Sequence, residues 1–310
     1  MLVSIALPIY NGLPFLNEAI ASILAQDIEF ELIVSDDKSQ DRSAEVVRRY
    51  SDPRIRILTN DSNAGIFGNL NRCIAAARGR FIQVFSQDDL MKPGYLASQV
   101  RTLQKYPEAG LVYGTADSID EEGSPNASQG RDGTPELVER GLYLWIASHY
   151  GALPASISSI MIPRKTFDAV GLFNSDYRVA GDIEFYNRVA EQFVIICNKD
   201  VLHSVRSHRQ MTSALPSAGP LYLREELVLD KWYRSHWSAQ DYRKVQRFRS
   251  ATRGRFHLGW IRRAALKGQV GEAAAAFWQL GKAYPMQWVL LWAALGALRK
   301  PRPILPPPEQ

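Results

Sequence analysis

Residues 30–47, FELIVSDDKSQDRSAEVV, run an unbroken apolar segment into two adjacent aspartates, a polar turn and the first turns of an amphipathic helix. That is the signature of a buried strand feeding a helix. Working outward, SIALPI (4–9) precedes it as a second strand, followed by a helical pattern over Leu16–Gln26. RIRIL (54–58) follows the helix Ser43–Tyr50 as a third strand. The βαβαβ order continues with a helix from Gly68 to Ala77, ended near Gly79, then FIQVF (81–85), a helix over Tyr95–Tyr106 and the strand GLVYG (110–114). Strands alternating with helices predict an α/β fold: a Rossmann-like, mostly parallel sheet with helices on both faces. Ligands of such sheets bind in the crevice beyond the carboxyl ends of the strands, so the polar residues just after each strand are the ones to weigh.

The balance of 46% hydrophobic and 22% charged residues over 310 positions excludes disordered, collagenous and disulfide-stapled classes and leaves an ordinary globular protein. Its net charge of +5 hides an asymmetry, because Leu221–Gln310 holds 16 basic and six acidic residues. The first 220 residues are therefore acidic overall and the remainder strongly basic. Cys73 and Cys197 stand far apart in apolar surroundings without metal-type spacing, which predicts two core thiols and a reducing compartment. The opening LVSIALPIY reads as a strand with no basic leader, so a cytoplasmic location is expected. The longest late apolar run, Met286–Leu298, has 13 residues, short of the roughly 20 a membrane-spanning helix needs.

Past residue 115 the sequence changes character. Ala116–Gly133 is polar and rich in glycine and serine, reading as a surface hairpin or loop, and order resumes with a helix near Glu136–Ser148 and the strand SSIMI (158–162). HRQMTSALPSAGP (208–220) then separates this body from a segment that is helical by pattern. The strand ends concentrate carboxylates: Asp36 and Asp37 after FELIVS, Asp88 and Asp89 after FIQVF, and Asp182 in AGDIEF. Adjacent carboxylates repel, and a hard divalent cation with oxygen ligands is the common compensation. N-capping and turn formation are the structural alternatives for Asp36 and Asp88.

Five ordered segments resemble the family-2 glycosyltransferases of the GT-A fold: SIALPIYN, FELIVSDDKSQDRS, NAGIFGNLNRCIAAARGRFIQVFSQDD, AGDIEFYNRV and SHRQMTS, spanning Leu2–Ser213. The resemblance implies a nucleotide-sugar site formed by Pro8, Tyr10, Asn11, Asp37, Asn63, Gly65 and Asp88. Tyr10 would stack on the base, Asp37 would accept from the base edge, and the loop of Asn63 and Gly65 would close over the donor. It further implies a divalent metal, Mn2+ or Mg2+, held by Asp88 and Asp89, with His208 completing the metal shell or donating to the diphosphate while Arg206 or Arg209 adds charge, and a catalytic base at Asp182. Two departures stand out: Ser86 replaces the first aspartate of the metal motif, and Gly181 replaces the acid that usually precedes the base. Glu184 could substitute for that acid or be a first-turn helix acid. Arg72 and Arg78 read as solvated, and His203, His236 and His257 as structural or solvent-facing.

The basic segment interleaves Arg243, Lys244, Arg247, Arg249, Arg253, Arg255, Arg262, Arg263 and Lys267 with tryptophan and phenylalanine, the composition of a helix resting on anionic lipid. A solvated helical face is the competing reading, and nucleic acid is not an expected partner because no RNA- or DNA-binding motif is present. The expected organisation is a catalytic domain 1–215, with a nucleotide-sugar half 1–115 and an acceptor half 116–215. A basic helical extension 216–300 and a proline-rich tail 301–310 follow. The expected activity is inverting transfer of a sugar from a UDP- or dTDP-sugar to a hydroxyl of a lipid-linked saccharide; the alternative is a non-catalytic sugar-nucleotide-binding protein. A dinucleotide-dependent oxidoreductase is disfavoured, since YNGLPF stands where a G-x-G-x-x-G turn is needed.

Overall fold

The structure, a computed structural model, describes residues 2–126, 133–151, 153, 156–209, 211 and 218–294. The proline-rich tail, part of the Ala116–Gly133 stretch and most of the separator 208–220 lie outside the described residues. The chain divides into two compact units: Met1–Arg140 with Pro154–His208, and Gly141–Leu153 with Arg209–Gln310.

The first unit runs β1 (Val3–Ile9), α1 (Leu16–Leu24), β2 (Phe30–Asp36), α2 (Ser43–Arg48), β3 (Ile55–Thr59), α3 (Gly65–Ala76), β4 (Phe81–Val84), β5 (Leu90–Met91), α4 (Tyr95–Lys105), β6 (Ala109–Ile119) and β7 (Leu137–Val138). After α5 (Arg140–Tyr150) it resumes with β8 (Ile160–Pro163), α6 (Arg164–Val170), α7 (Gly181–Gln192) and β9 (Val194–Arg206). One sheet has the order β3-β2-β1-β4-β8-β6-β9-β5, with β7 also paired to β9. The long ladders β1–β2, β2–β3, β1–β4 and β6–β9 are parallel. The antiparallel pairs β4–β8, β5–β9, β6–β8 and β7–β9 are two or three residues each. β1 and β2 are buried almost throughout, which is why both read as continuous apolar runs rather than alternating ones. Ile9 pairs with Asp36 and Asp36 with Thr59, so the ends of β1, β2 and β3 finish level. Cys73 and Cys197 are both fully buried, and burial pushes the Cys73 thiol up to about 12.

Three boundaries differ from the sequence expectation. β6 runs on to Ile119 through residues that read as loop, because its polar end pairs with the second half of β9. α3 starts at Gly65 instead of Gly68. Residues 141–153, expected in the half 116–215, belong to the helical unit, where the rings of His149 and Tyr150 meet Phe248 at 5.4 and 5.3 Å.

The second unit adds α8 (Ala218–Ser235), α9 (Ala239–Arg249), α10 (Arg255–Leu266), α11 (Val270–Ala283) and α12 (Met286–Ala294), with one π-helical turn, Ser250–Gly254, joining α9 to α10. Leu223, Ile261, Ala276, Leu280, Tyr284 and Val289 form its apolar core. Glu226 is buried beside that core and paired with Arg249, with Arg253 and with His257 Nε2 at 2.7 Å. Burial alone would raise its pKa; the charges of Arg253 and Arg249 and the His257 bond instead hold it far below the ordinary range. Arg249 and Arg253 are thus internal counter-ions, removed from the basic surface the sequence suggested. Among the described residues no helix is long and apolar enough to cross a membrane.

Candidate active site

The carboxyl edge of β1, β2 and β4 gathers the candidate residues. Asp37 follows β2 and is 2% exposed. Its Oδ1 accepts from Asn60 Nδ2 and from the Ala64 N–H, each at 2.7 Å, and its Oδ2 accepts from the Gly65 N–H at 3.0 Å. A carboxylate therefore caps the start of α3 from a neighbouring strand, satisfying donors that a helix terminus leaves open and opposing its dipole. This explains the early start of α3. Three of the roughly four acceptor positions of Asp37 are thereby taken within its own chain. Asn69 carries the same network inward, accepting from Asn60 Nδ2 at 3.0 Å and donating to the Ser35 carbonyl at 2.8 Å.

Asn63 is exposed, and its Oδ1 accepts from the Gly65 N–H at 3.1 Å. Gly65 has φ +76°, and Arg178 Nη1 lies 2.6 Å from where a Cβ would stand. The positive φ is what calls for glycine there, since the Arg178 guanidinium could swing aside. The guanidinium of Arg178, which the sequence reading passed over, is set against the Asn63–Gly65 loop.

At the end of β1, Pro8 is half-buried opposite Ser35, and the Tyr10 ring is 45% exposed. Gln87 grips the Tyr10 backbone from both sides: Oε1 accepts its N–H at 2.9 Å and Nε2 donates to its carbonyl at 3.0 Å. Asn11, with φ 49°, uses its side chain locally, Oδ1 accepting from the Gln40 and Asp41 N–H groups at 2.7 and 3.3 Å. It shapes the wall beside Tyr10 as a loop tie. Asp36 does likewise, accepting from the Ser39 hydroxyl at 2.5 Å.

The two aspartates after β4 part company. Asp88 Oδ2 meets His208 Nε2 at 2.8 Å, with the Asp88 side chain 21% exposed. Asp89 is 4% exposed and turned inward, its Oδ1 accepting from the Arg206 N–H at 2.9 Å. Burial, and then the charge of Asp88, push the Asp89 carboxyl up to about 7. Asp89 thus stands apart from the Asp88–His208 pair it was expected to join, serving the packing of β9. Arg206 ties this corner together. Its buried guanidinium donates to the Asp88 carbonyl at 3.0 Å and to Glu18 Oε2 at 2.7 Å, and lies 4.8 Å from the centre of the Phe15 ring.

Among the described residues no group of three or more His, Cys, Asp and Glu side chains is arranged to hold a metal ion. A carboxylate and an imidazole meeting at 2.8 Å nevertheless form a suitable two-donor set, the remaining positions falling to a ligand's phosphates and water. His208 Nδ1 is buried and has no partner among the described residues.

Asp182 sits in the first turn of α7, half-buried, its Oδ1 accepting from the Ile183 N–H at 2.8 Å. The buried Tyr186 phenol one turn on has its pKa raised by burial and by the Asp182 charge. The preceding position must be small: a Cβ on Gly181 would stand 2.7 Å from two carbons of the Phe67 ring. Glu184 does not support Asp182. It is locked to Arg188 by two bonds of 2.8 Å, an i,i+4 pair that its spacing could have revealed.

Residues 4–155 match the profile of Glycosyl transferase family 2. The domain belongs to glycosyltransferase family 2. An uncharacterized glycosyltransferase of Rickettsia felis is 30% identical over 68% of this chain and 35% of its own length. UDP-Glc:alpha-D-GlcNAc-diphosphoundecaprenol beta-1,3-glucosyltransferase WfgD of Escherichia coli is 35% identical over 38% of this chain and 47% of its own. The chain thus spans less than half of either relative. Among solved structures, S. aureus TarS 1-349 in complex with UDP-GlcNAc superposes with a TM-score of 0.63 at 18% identity, covering 93% of this chain and 82% of that one. The mannosyltransferase PcManGT from Pyrobaculum calidifontis, in complex with GDP-Man and Mn2+, gives 0.59 at 18% identity over 96% and 86%. These likenesses establish the GT-A fold of the family 2 domain.

Proposed function

We propose that this chain is an inverting, metal-dependent glycosyltransferase that moves a sugar from a UDP- or dTDP-sugar to a hydroxyl of a lipid-linked saccharide during cell-surface polysaccharide assembly. The observation that carries the reading is the Asp88–His208 pair at the strand edge, next in sequence to the Gln87 that grips the exposed Tyr10. The uridine donor and the diphospholipid acceptor are supported by the name of WfgD, and the donor also by the ligand of TarS, rather than by Asp37.

Tyr10 offers a flat ring for base stacking, which tolerates any base. Asp37 acts at one remove, holding the Ala64 and Gly65 N–H groups and hence the loop that covers the donor. Asp88 and His208 would hold the Mn2+ or Mg2+, which when bound neutralises charge on the departing nucleoside diphosphate. Arg178 beside Gly65 adds positive charge on the loop side. Asp182 takes the proton from the acceptor hydroxyl as its oxygen bonds to the anomeric carbon from the face opposite the leaving diphosphate. One displacement inverts the configuration, and no covalent enzyme intermediate forms.

Asp182→Asn is expected to lower turnover about 10²–10⁴-fold while leaving nucleotide binding intact. Unchanged turnover would remove Asp182 as the base. Thermal shifts with UDP, dTDP, CDP and GDP, each with and without Mn2+, identify the donor, since a ligand of the native state raises apparent stability by mass action. Metal-independent binding, with activity insensitive to chelators, would remove Asp88 and His208 as ligands.

A membrane face is part of the same proposal. Phe256, Leu266, Val270 and Trp278 of α10 and α11 are 64, 77, 66 and 69% exposed, with Arg262, Arg263 and Lys267 exposed among them. Exposed large apolar groups rimmed by cations match an anionic leaflet, which contributes about 1 kcal/mol per basic residue near its surface. The full chain should float with phosphatidylglycerol vesicles, and Leu266→Glu/Trp278→Glu should abolish flotation. Equal recovery of variant and parent would refute the membrane face.

A further inference from the structure

The helical unit carries a cavity of about 270 Å³ at the turn from α8 into α9, lined by Arg234, Trp237, Ala239, Tyr242, Arg243 and Gln246. None of these residues takes part in the transfer site. Neither Arg234 nor Arg243 has a carboxylate partner among the described residues, and both are exposed. The nearby acids are already committed. Asp230 Oδ1 accepts from the Tyr242 hydroxyl and from Arg249 Nη1, and Asp241 Oδ1 accepts from Lys244 Nζ at 2.8 Å while its Oδ2 accepts from the Ser238 hydroxyl at 2.7 Å. The indole N–H of Trp237 is buried and has no acceptor among the described residues. Ala239 opens α9, whose N-terminus is already capped by the Ser238 hydroxyl and carries Asp241 in its first turn.

Two guanidinium groups without a carboxylate partner at one wall repel cations and call for a ligand that accepts. We propose that this cavity is a binding site for a phosphate group. Two guanidinium forks match the paired oxygens of a phosphate, and the volume accommodates a diphosphate or a lipid phosphodiester headgroup as readily as a free ion. Occupancy of this site needs no sugar nucleotide.

The test follows the indole N–H signals of the seven tryptophans in the full 15N-labelled chain, the Trp237 signal being assigned with Trp237→Phe. Three probes are added separately: inorganic phosphate, inorganic pyrophosphate, and nanodiscs of phosphatidylglycerol with phosphatidylcholine nanodiscs as the reference. The expected result is a saturable shift of the Trp237 signal. Arg234→Gln and Arg243→Gln should each weaken it about tenfold and leave UDP binding unchanged. A shift with the soluble anions identifies a free or substrate-borne phosphate, and a shift only with phosphatidylglycerol nanodiscs identifies a headgroup; either supports the site. No movement with any probe, or the same titration in the two arginine variants, overturns it. Loss of UDP binding in Asp88 or Tyr10 variants would leave this titration unaffected, so the two sites stand or fall separately.

Discussion

Asp37→Asn separates a loop anchor from a base reader. The wild-type carboxylate accepts three bonds of 2.7–3.0 Å at a site 2% exposed. An asparagine oxygen accepts at most two, and its NH2 group must then face the Gly65 N–H, which keeps Asn63 Oδ1, so the buried NH2 group is the donor left unpaired. That donor costs about 1–3 kcal/mol, and the surviving bonds lose their charge assistance, which roughly halves them. The sum is about 2–4 kcal/mol, lowering the melting temperature by about 5–15 °C for a unit of this size. The loss appears without any ligand, because the broken bonds are internal to the chain. The assay is a thermal or urea melt of the nucleotide-free protein beside UDP affinity of the same variant. A ligand-free melt equal to wild type, with only affinity lost, would mean that Asp37 serves the nucleotide alone and that the capping account is wrong.

Gly181→Ala drives a methyl group into the Phe67 ring, which is stacked on Phe173 at 5.9 Å, so it should cost about 1–3 kcal/mol. In a Phe67→Ala background the same change should be neutral in a double-mutant cycle. Gln87→Leu removes both bonds to the Tyr10 backbone and should raise the donor KM about tenfold with kcat little changed; a matching fall in kcat would place Gln87 in the chemistry instead. His203 is wholly buried, and burial lowers its pKa to about 4 from the ordinary 6.5. Its stabilisation is therefore full above pH 6.5 and is lost as pH falls toward 4, amounting to about 2 kcal/mol between pH 7 and pH 5. Urea melts at those two pH values should show that loss in the parent and a smaller one in His203→Leu.

The sheet was legible because β1, β2 and β4 are buried on both faces, which forces apolar runs that need no partner to be recognised. The candidate site was legible only as positions along the edge. Which side of Asp88–Asp89 faces solvent depends on β9 arriving with the Arg206 N–H, contributed 117 residues later, and local spacing carries no trace of it. Gln87 escaped notice for the same reason, since its partners are backbone atoms of a distant loop, and Arg206, read only as added charge beside His208, ties the Asp88, Asp120 and Glu121 carbonyls and the Glu18 carboxylate instead. Glu184 is the opposite case, its Arg188 partner lying one helical turn away.

The division of the chain bears on how the molecule can be cut. Because residues 141–153 belong to the helical unit, the polypeptide passes from one unit to the other at three places, near 140, 153 and 208. Stopping the chain after His208 would not free a catalytic module. It would strand a helix whose Trp145, His149 and Tyr150 rings have lost Phe248 and Trp237, exposing an aromatic surface prone to aggregation. A clean excision must also replace 141–153 with a short linker, and a failed simple truncation would speak to topology and leave the role of the helices in activity unmeasured.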